Sequence, residues 1–310
     1  KAWSHFMLDQ DHQSSEVTRK GNPTRAGSIN KLLKAMKRME VARREKPSQA
    51  RRSFVRKEFE RLVTLCEQHE RAEVGPWLSS YVTFQLHMIA RLDDTAKFRL
   101  PDLKAFQQFP DFGCTAKLCW AKTCMEERDA PTQILFGARN WRYCVLSHLG
   151  MWLELHFELG SDGNEYVFGV VNKDDPDSIK TLAAYYLRQL MTGEDWELDA
   201  ADLVDDDRDT SLHSTRKFGV NLGRGGGASR DDVDHRGRWK ARDRQSDTYA
   251  DTTIPFVDAK VAKILAVGGP VAYFVCEDSG VSDAWILDHV APNMRRGGVP
   301  CQVCIVLGRA

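Results

Sequence analysis

No stretch of this 310-residue chain holds the ~20 consecutive apolar residues that a membrane-spanning helix needs. Nor does the chain open with a basic, then apolar, signal-peptide-like segment, so its cysteines are not read as an extracellular disulfide framework. The eight cysteines (Cys66, Cys114, Cys119, Cys124, Cys144, Cys276, Cys301 and Cys304) are scattered, as expected of reduced intracellular thiols. Cys301 and Cys304 have the spacing of a zinc hairpin but lack a second pair nearby, so packing is the expected role and no metal is implied. No internal repeat is visible, and the elements do not follow a βαβ order. Net charge is missing too: 44 Lys and Arg balance 44 Asp and Glu. No global field therefore draws the chain to a polyanion. The chain begins with lysine rather than methionine and is read as a fragment.

Present instead are charges sorted by sign along the chain. Fourteen Lys and Arg lie between Arg19 and Lys57, opposed only by Glu40 and Glu45. A second basic stretch runs from Arg216 to Arg244, and an acidic run from Glu194 to Asp209 separates it from the rest. Local patches of one sign are what a phosphate backbone responds to, although a charge run is also what a solvated helix face looks like.

Apolar spacing predicts mostly helices. Ile29, Leu32, Leu33, Met36, Met39 and Val41 mark a basic amphipathic helix over Ser28–Arg44. Phe54, Phe59, Leu62, Val63 and Cys66 mark a second over Arg52–His69. A third, mostly apolar, runs from Pro76 to about Ala90. Lys117–Trp120 and Gln133–Phe136 read as two short strands of a β-hairpin. Further helices are expected over Asn140–Leu159, with Trp152 and Leu153 in the core, and over Ser178–Met191. Two more are expected from near Leu212 to the glycines 223–227, and from Ser229 onward, where Asp231 and Asp232 suit a first turn. The fold class is mainly α with a small β-sheet.

Several polar boxes stand out by their chemistry. His213-Ser214-Thr215-Arg216-Lys217 carries an imidazole and a guanidinium three residues apart, a spacing that shares one helix face. Gly237-Arg238-Trp239 follows, and Tyr249 lies ten residues beyond Trp239. Upstream, Arg91 is followed by Asp94 and Asp102. Lys122 opens the stretch Lys122–Pro131 at the hairpin, with Lys117 as competitor for its role. Arginine donates a planar fork to phosphate oxygens, histidine moves protons near neutral pH, and tyrosine can act as a covalent nucleophile. Each residue alone has an ordinary reading: Arg91 as a helix cap paired with Asp93 or Asp94, Trp239 as core, Tyr249 as a half-buried helix residue.

Taken in order, these boxes resemble the tyrosine recombinase (phage-integrase-like) family, and within it the crypton-like recombinases of eukaryotic mobile elements. The resemblance covers roughly Arg52 to Pro255. The chain departs from the family pattern at Ile89, where a glycine is usual two places before the arginine. It departs also at Asp94, where glutamate is usual, and around Lys122, where one extra residue is needed.

The resemblance implies the catalytic-domain fold of the DNA breaking–rejoining enzymes over residues 51–255. It also implies a remnant of a DNA-clamping helical domain in 1–50, and leaves 256–310 as an extension of unknown role. It implies Arg91, Lys122, His213, Arg216, Trp239 and Tyr249 as catalytic residues, with Asp94, Lys217 and Arg224 supporting. No cofactor or metal is implied. The implied partner is double-stranded DNA, bound by a homotetramer in a synapse, with nuclear residence. A decayed, DNA-binding relative and an α-rich interaction protein without DNA chemistry are the alternatives. The latter predicts that the named residues do not converge.

Overall fold

The computed structural model describes residues 26–42, 51–107, 113–120, 130–161, 163–170, 174–196, 209–239, 258–274 and 279–310. The chain divides into two compact units, 1–50 and 51–310.

The described part of the first unit is helix α1 (Gly27–Ala42). At 3.6 residues per turn, Ile29, Leu32, Leu33, Met36 and Met39 share one face, and all five are exposed. Lys31, Lys34 and Arg38, also exposed, lie on the opposite face.

The second unit is built around one helix. Helix α3 (Val74–His87) is apolar on almost every side, and all but one of its residues are buried. A helix without a polar face can only be a central one. It packs against α2 (Arg56–Glu67), α5 (Val145–Glu158) and α7 (Ser214–Gly225). Helix α2 starts where Glu58 reaches back to accept from the Val55 amide at 2.9 Å, and it buries Phe59, Leu62, Val63 and Cys66 as the sequence stripe predicts. Trp77 on α3 and Trp152 on α5 are both fully buried. Their indole N–H groups donate to the carbonyls of Phe168 (2.9 Å) and Val167 (2.7 Å), so a loop between α5 and α6 (Pro176–Thr192) is stitched to both helices.

A sheet of four antiparallel strands, in the order β1-β2-β3-β4, flanks the helices. The strands are β1 (Leu103–Ala105), β2 (Gly113–Lys117), β3 (Thr132–Ala138) and β4 (Pro270–Val271). Strands β2 and β3 form the expected hairpin, with Lys117 opposite Thr132 and Gly113 opposite Phe136. The first strand lies four residues earlier than the apolar run Lys117–Trp120 suggests. Ladder pairing takes the small residues Gly113 to Ala116, while Leu118 turns into the core and Trp120 stands exposed.

The expected helix over 140–159 is a 3₁₀ turn, Trp141–Tyr143, followed by α5. The Asn140 side chain accepts from the Arg142 amide at 3.2 Å and sets that break. Ser229 caps α8 (Arg230–Arg236), accepting from the Asp232 amide, which the first-turn acids anticipate.

Residues beyond 256 belong to the same unit. Helix α9 (Ala259–Leu265) packs on β3, α7 and α8, and α10 (Asp283–His289), α11 (Pro292–Arg296) and α12 (Cys301–Arg309) close the core over α5. Cys304 is buried there and Cys301 is exposed. Among the described residues no helix is long and apolar enough to cross a membrane.

A buried ion pair joins these parts. Arg236 at the end of α8 is fully enclosed and donates to Asp258, the residue before α9, to the His87 carbonyl at 2.7 Å and to the Ile134 carbonyl at 2.8 Å. Asp258 in turn accepts from the Ile134 amide at 2.7 Å. Removing one member leaves an uncompensated buried charge, so Asp258→Ala should lower stability by about 3–5 kcal/mol in urea denaturation. A loss below ~1 kcal/mol would contradict the pairing.

Acid should also weaken the fold. His87 is enclosed on α3 with its Nε2–H donating to the Tyr143 carbonyl at 2.8 Å. Burial, then the neighbouring Arg236 charge, pulls its pKa down to about 3. Below the ordinary histidine pKa of ~6.5 the unfolded chain takes up a proton that the native state refuses. Stability present above that pH is lost as pH falls toward the folded value, at about 1.4 kcal/mol per pH unit for this residue. His87→Gln should flatten the acid limb of a stability–pH profile by about one proton; an unchanged slope would show that His87 does not stay neutral.

Candidate functional site

The short helix α4 (Leu92–Ala96) begins immediately after α3, and its start builds one wall of the site. Arg91 precedes it in an extended conformation, and Asp94, three residues on, accepts from the Arg91 amide at 3.2 Å. The Arg-x-x-Asp spacing is therefore a capping geometry in which the acid closes the helix N-terminus. Asp94 is buried, and the same oxygen, Oδ2, lies 3.5 Å from Nη1 of Arg216 and 3.9 Å from Nη2 of Arg238. Its Oδ1 accepts no hydrogen bond among the described residues.

Arg216 comes from the first turn of α7. That helix can approach α3 closely because residue 219 is glycine: a Cβ there would stand 3.1 Å from the Leu86 carbonyl oxygen. Arg216 is held on three sides. Nη2 donates to the Gly237 carbonyl at 2.8 Å, Nη1 faces Asp94, and the indole of Trp239 lies with its ring centre 4.5 Å from the guanidinium carbon. Burial, followed by the Arg238 and Arg91 charges, pulls the pKa of Arg216 down to about 10, so it remains a cation at neutral pH. Arg91 is half-buried, and its guanidinium makes no hydrogen bond or ion pair among the described residues.

The Gly-Arg-Trp box has a steric reason. Trp239 folds back so that its six-membered ring occupies the space where a Cβ on residue 237 would sit. Only glycine lets the indole lie there. Between them Arg238 has φ +56°, a left-handed backbone that turns the Gly237 carbonyl and the Trp239 ring onto the same guanidinium.

Ile89 shows the second left-handed φ of a non-glycine residue among the described positions, at +44°. This is the position where the recombinase pattern has glycine. For a β-branched residue the conformation costs roughly 1–2 kcal/mol. Ile89 is fully enclosed against Val233, Val261 and Leu265, and burying such a side chain contributes about 1.5–3 kcal/mol, which offsets that strain. The backbone shape is the one glycine would adopt, reached with a side chain that packs.

Of the residues singled out from the sequence, Arg91, Asp94, Arg216 and Trp239 come together. His213 does not join them in burial. It stands just before the first turn of α7, exposed, and its ring makes no hydrogen bond among the described residues. Lys217 is exposed and donates to the Arg51 carbonyl, and Arg224 is exposed near the end of α7. Asp102 sits in the turn before β1, its carboxyl raised in pKa by burial and drawn back down by Arg99; it is not part of the Arg91 group. Lys117 ends β2, at the root of the hairpin. Lys122 and Tyr249 lie outside the described residues.

Sequence reasoning passed over Arg238, Arg236, Gln133 and Asp258. Arg238 donates to the Gln133 side chain at 2.7 Å and to the Met88 carbonyl at 3.1 Å. Gln133 donates to the Arg236 carbonyl at 2.6 Å. Strand β3, the end of α3 and the end of α8 thus share one buried polar network.

Among the described residues no cluster of three His, Cys, Asp or Glu has the geometry to hold a metal ion. No protein-family model matches the chain, and no curated protein matches it in sequence.

A test of the site's packing follows from residue 237. Gly237→Ala should expel the indole from its place over Arg216 and lower stability by about 1–3 kcal/mol in urea denaturation. A variant as stable as the parent would mean that Trp239 does not fold back over that glycine.

Proposed function

We propose that the chain is a DNA strand-breaking and rejoining enzyme of the tyrosine recombinase type. The observation that carries this reading is the buried carboxylate of Asp94, which accepts from the Arg91 amide and faces the Arg216 guanidinium from 122 residues further along at 3.5 Å, with the Trp239 indole against Arg216 and the Arg91 charge close enough to act on it. Phosphodiester cleavage without a metal needs fixed cations beside the phosphorane, a nucleophile and a proton for the leaving oxygen. Arg91 and Arg216 suit the first need, since a guanidinium holds its charge and donates two parallel hydrogen bonds. The indole N–H of Trp239 is a further donor. The α-rich interaction reading expects all six named side chains to be scattered; of the three that group here, Trp239 lies against Arg216 and the Arg91 charge acts on it, and this is what favours the DNA reading.

In this scheme the Tyr249 oxygen attacks a backbone phosphorus. A bond forms from phosphorus to the phenolic oxygen as the bond to the 5′ oxygen breaks, leaving a 3′-phosphotyrosyl link. The phenolic proton passes to His213, exposed three residues before Arg216, and Lys122 supplies the proton that completes the 5′ hydroxyl. Rejoining runs the same steps in reverse. The bond energy is retained in the covalent link, so neither ATP nor a metal is required. Lys31, Lys34 and Arg38 on one face of α1 suit contact with a phosphate backbone. A homotetramer on double-stranded DNA, and nuclear residence, belong to the same proposal.

The decisive experiment incubates the protein with a library of nicked duplexes that trap covalent intermediates, followed by a denaturing gel. A protein–DNA band resistant to EDTA, absent in Tyr249→Phe and reduced by about 10²–10³ in Arg216→Lys, is expected. DNA binding with no band in the parent protein would replace the enzyme by a binding-only relative. Absence of both would remove DNA from the account.

A further inference from the structure

The geometry points to Arg238 as the positioning residue that sets Arg216 for anion contact, acting through its backbone and its side chain together. This inference rests on the proposed role of Arg216 as a phosphate donor. Arg238 is almost wholly buried, and its left-handed φ of +56° is unusual for a residue with a long side chain. That backbone turn aims both of its neighbours at one target: the Gly237 carbonyl accepts from Arg216 at 2.8 Å, and the Trp239 ring covers the same guanidinium at 4.5 Å. With an extended backbone at 238, residues 237 and 239 would face apart.

The side chain fixes the turn in place. Nη1 donates to the Gln133 side chain at 2.7 Å, to the Met88 carbonyl at 3.1 Å and to the Arg236 carbonyl at 3.3 Å. Nη2 reaches within 3.9 Å of the Asp94 oxygen that Arg216 faces at 3.5 Å. The two guanidiniums share one carboxylate oxygen, at distances longer than a close ion pair. Arg216 is therefore oriented by Asp94 without being fully neutralised by it, which is the electrostatic state an anion-binding cation needs. A lysine at 238 keeps the charge but cannot span Gln133, Met88 and Asp94 from one planar group.

Nitrogen-15 spectra of the arginine side chains read this directly in the full chain, with Arg216 identified by its loss in Arg216→Lys. In the parent protein the Arg216 guanidinium should give separate, slowly averaging Nη signals; a single averaged signal overturns the proposal without any variant. Arg238→Gly accepts the left-handed backbone but removes the anchor, and Arg238→Lys keeps the charge. In whichever of these folds, Arg216 should become rotationally averaged. On trapping duplexes, the rate of adduct formation at saturating DNA should fall about 10²-fold, with half-saturation little changed. A merely structural Arg238 predicts lowered stability with Arg216 signals and saturated rate unchanged in the folded variant, and that result overturns the proposal. Should the parent protein form no adduct, the DNA reading fails, while the spectra still decide whether Arg238 governs Arg216.

Discussion

The fold of the larger unit depends on one charge placed where charge is costly. Arg236 has no exposed surface, and the energy of taking a guanidinium out of water is recovered only if every donor finds an acceptor. Its acceptors come from the end of α3, from β3 and from the start of α9. Those elements cannot move apart without stranding the charge. The enclosing groups respond as a low-dielectric interior dictates. Burial pulls the pKa of Arg236 down, pushes that of Asp258 up against the pull of its partner, and holds His87 neutral. Segment 258–310 is tied into the core by this pair, so the residues beyond 256 share in positioning the site.

A polar network of this kind selects one arrangement where an apolar core would tolerate several. Gln133 links the two halves of it, donating to the Arg236 carbonyl and accepting from Arg238. The rigid pair Arg236–Asp258 and the looser group Arg216–Asp94–Arg238 therefore share a strand residue. The first is closed, with short contacts and an acid matched to a base. The second is open, with separations of 3.5 and 3.9 Å around one oxygen. Stability resides in the closed pair, and the open group is the one to which the proposed function assigns contact with a phosphate.

Much of the architecture was legible because it is periodic. The stripe on α2, the mostly apolar α3, the Ser229 cap and the hairpin follow from spacing and from turn and cap chemistry. The displaced start of β2 was not, because its ladder uses Gly, Cys, Thr and Ala, which carry little strand signal, while the apolar run nearby serves the core instead. At the site, Arg91, Asp94, Arg216 and Trp239 were legible as boxes with fixed internal spacing. Arg236, Arg238 and Asp258 were not, since charged residues in a charged stretch look alike whether they face water or the interior. Only the alternation of Gly237 with Trp239 hinted at a tight turn, and the sequence does not say that the residue between them would bend left-handed.

Ile89 and Arg238 together show how the site tolerates strain. Each adopts a backbone that glycine would accept freely, and each is buried by what its side chain touches: Ile89 by Val233, Val261 and Leu265, Arg238 by Gln133, Met88 and Asp94. Ile89 lies two residues before Arg91, at the end of α3, and Arg238 lies beside Arg216 in space, just past the end of α8. A glycine at either place would relieve strain of roughly 1–2 kcal/mol but forfeit contacts that contribute as much or more. The side chains therefore stabilise the bends through the contacts they bury. A turn built from glycine would be free to reopen, whereas these two turns are locked by the core they bury. Under the proposed DNA reaction that distinction matters, since cations must be in place before charge develops: a guanidinium that reorients during the reaction gives back in reorganisation what it contributes in attraction.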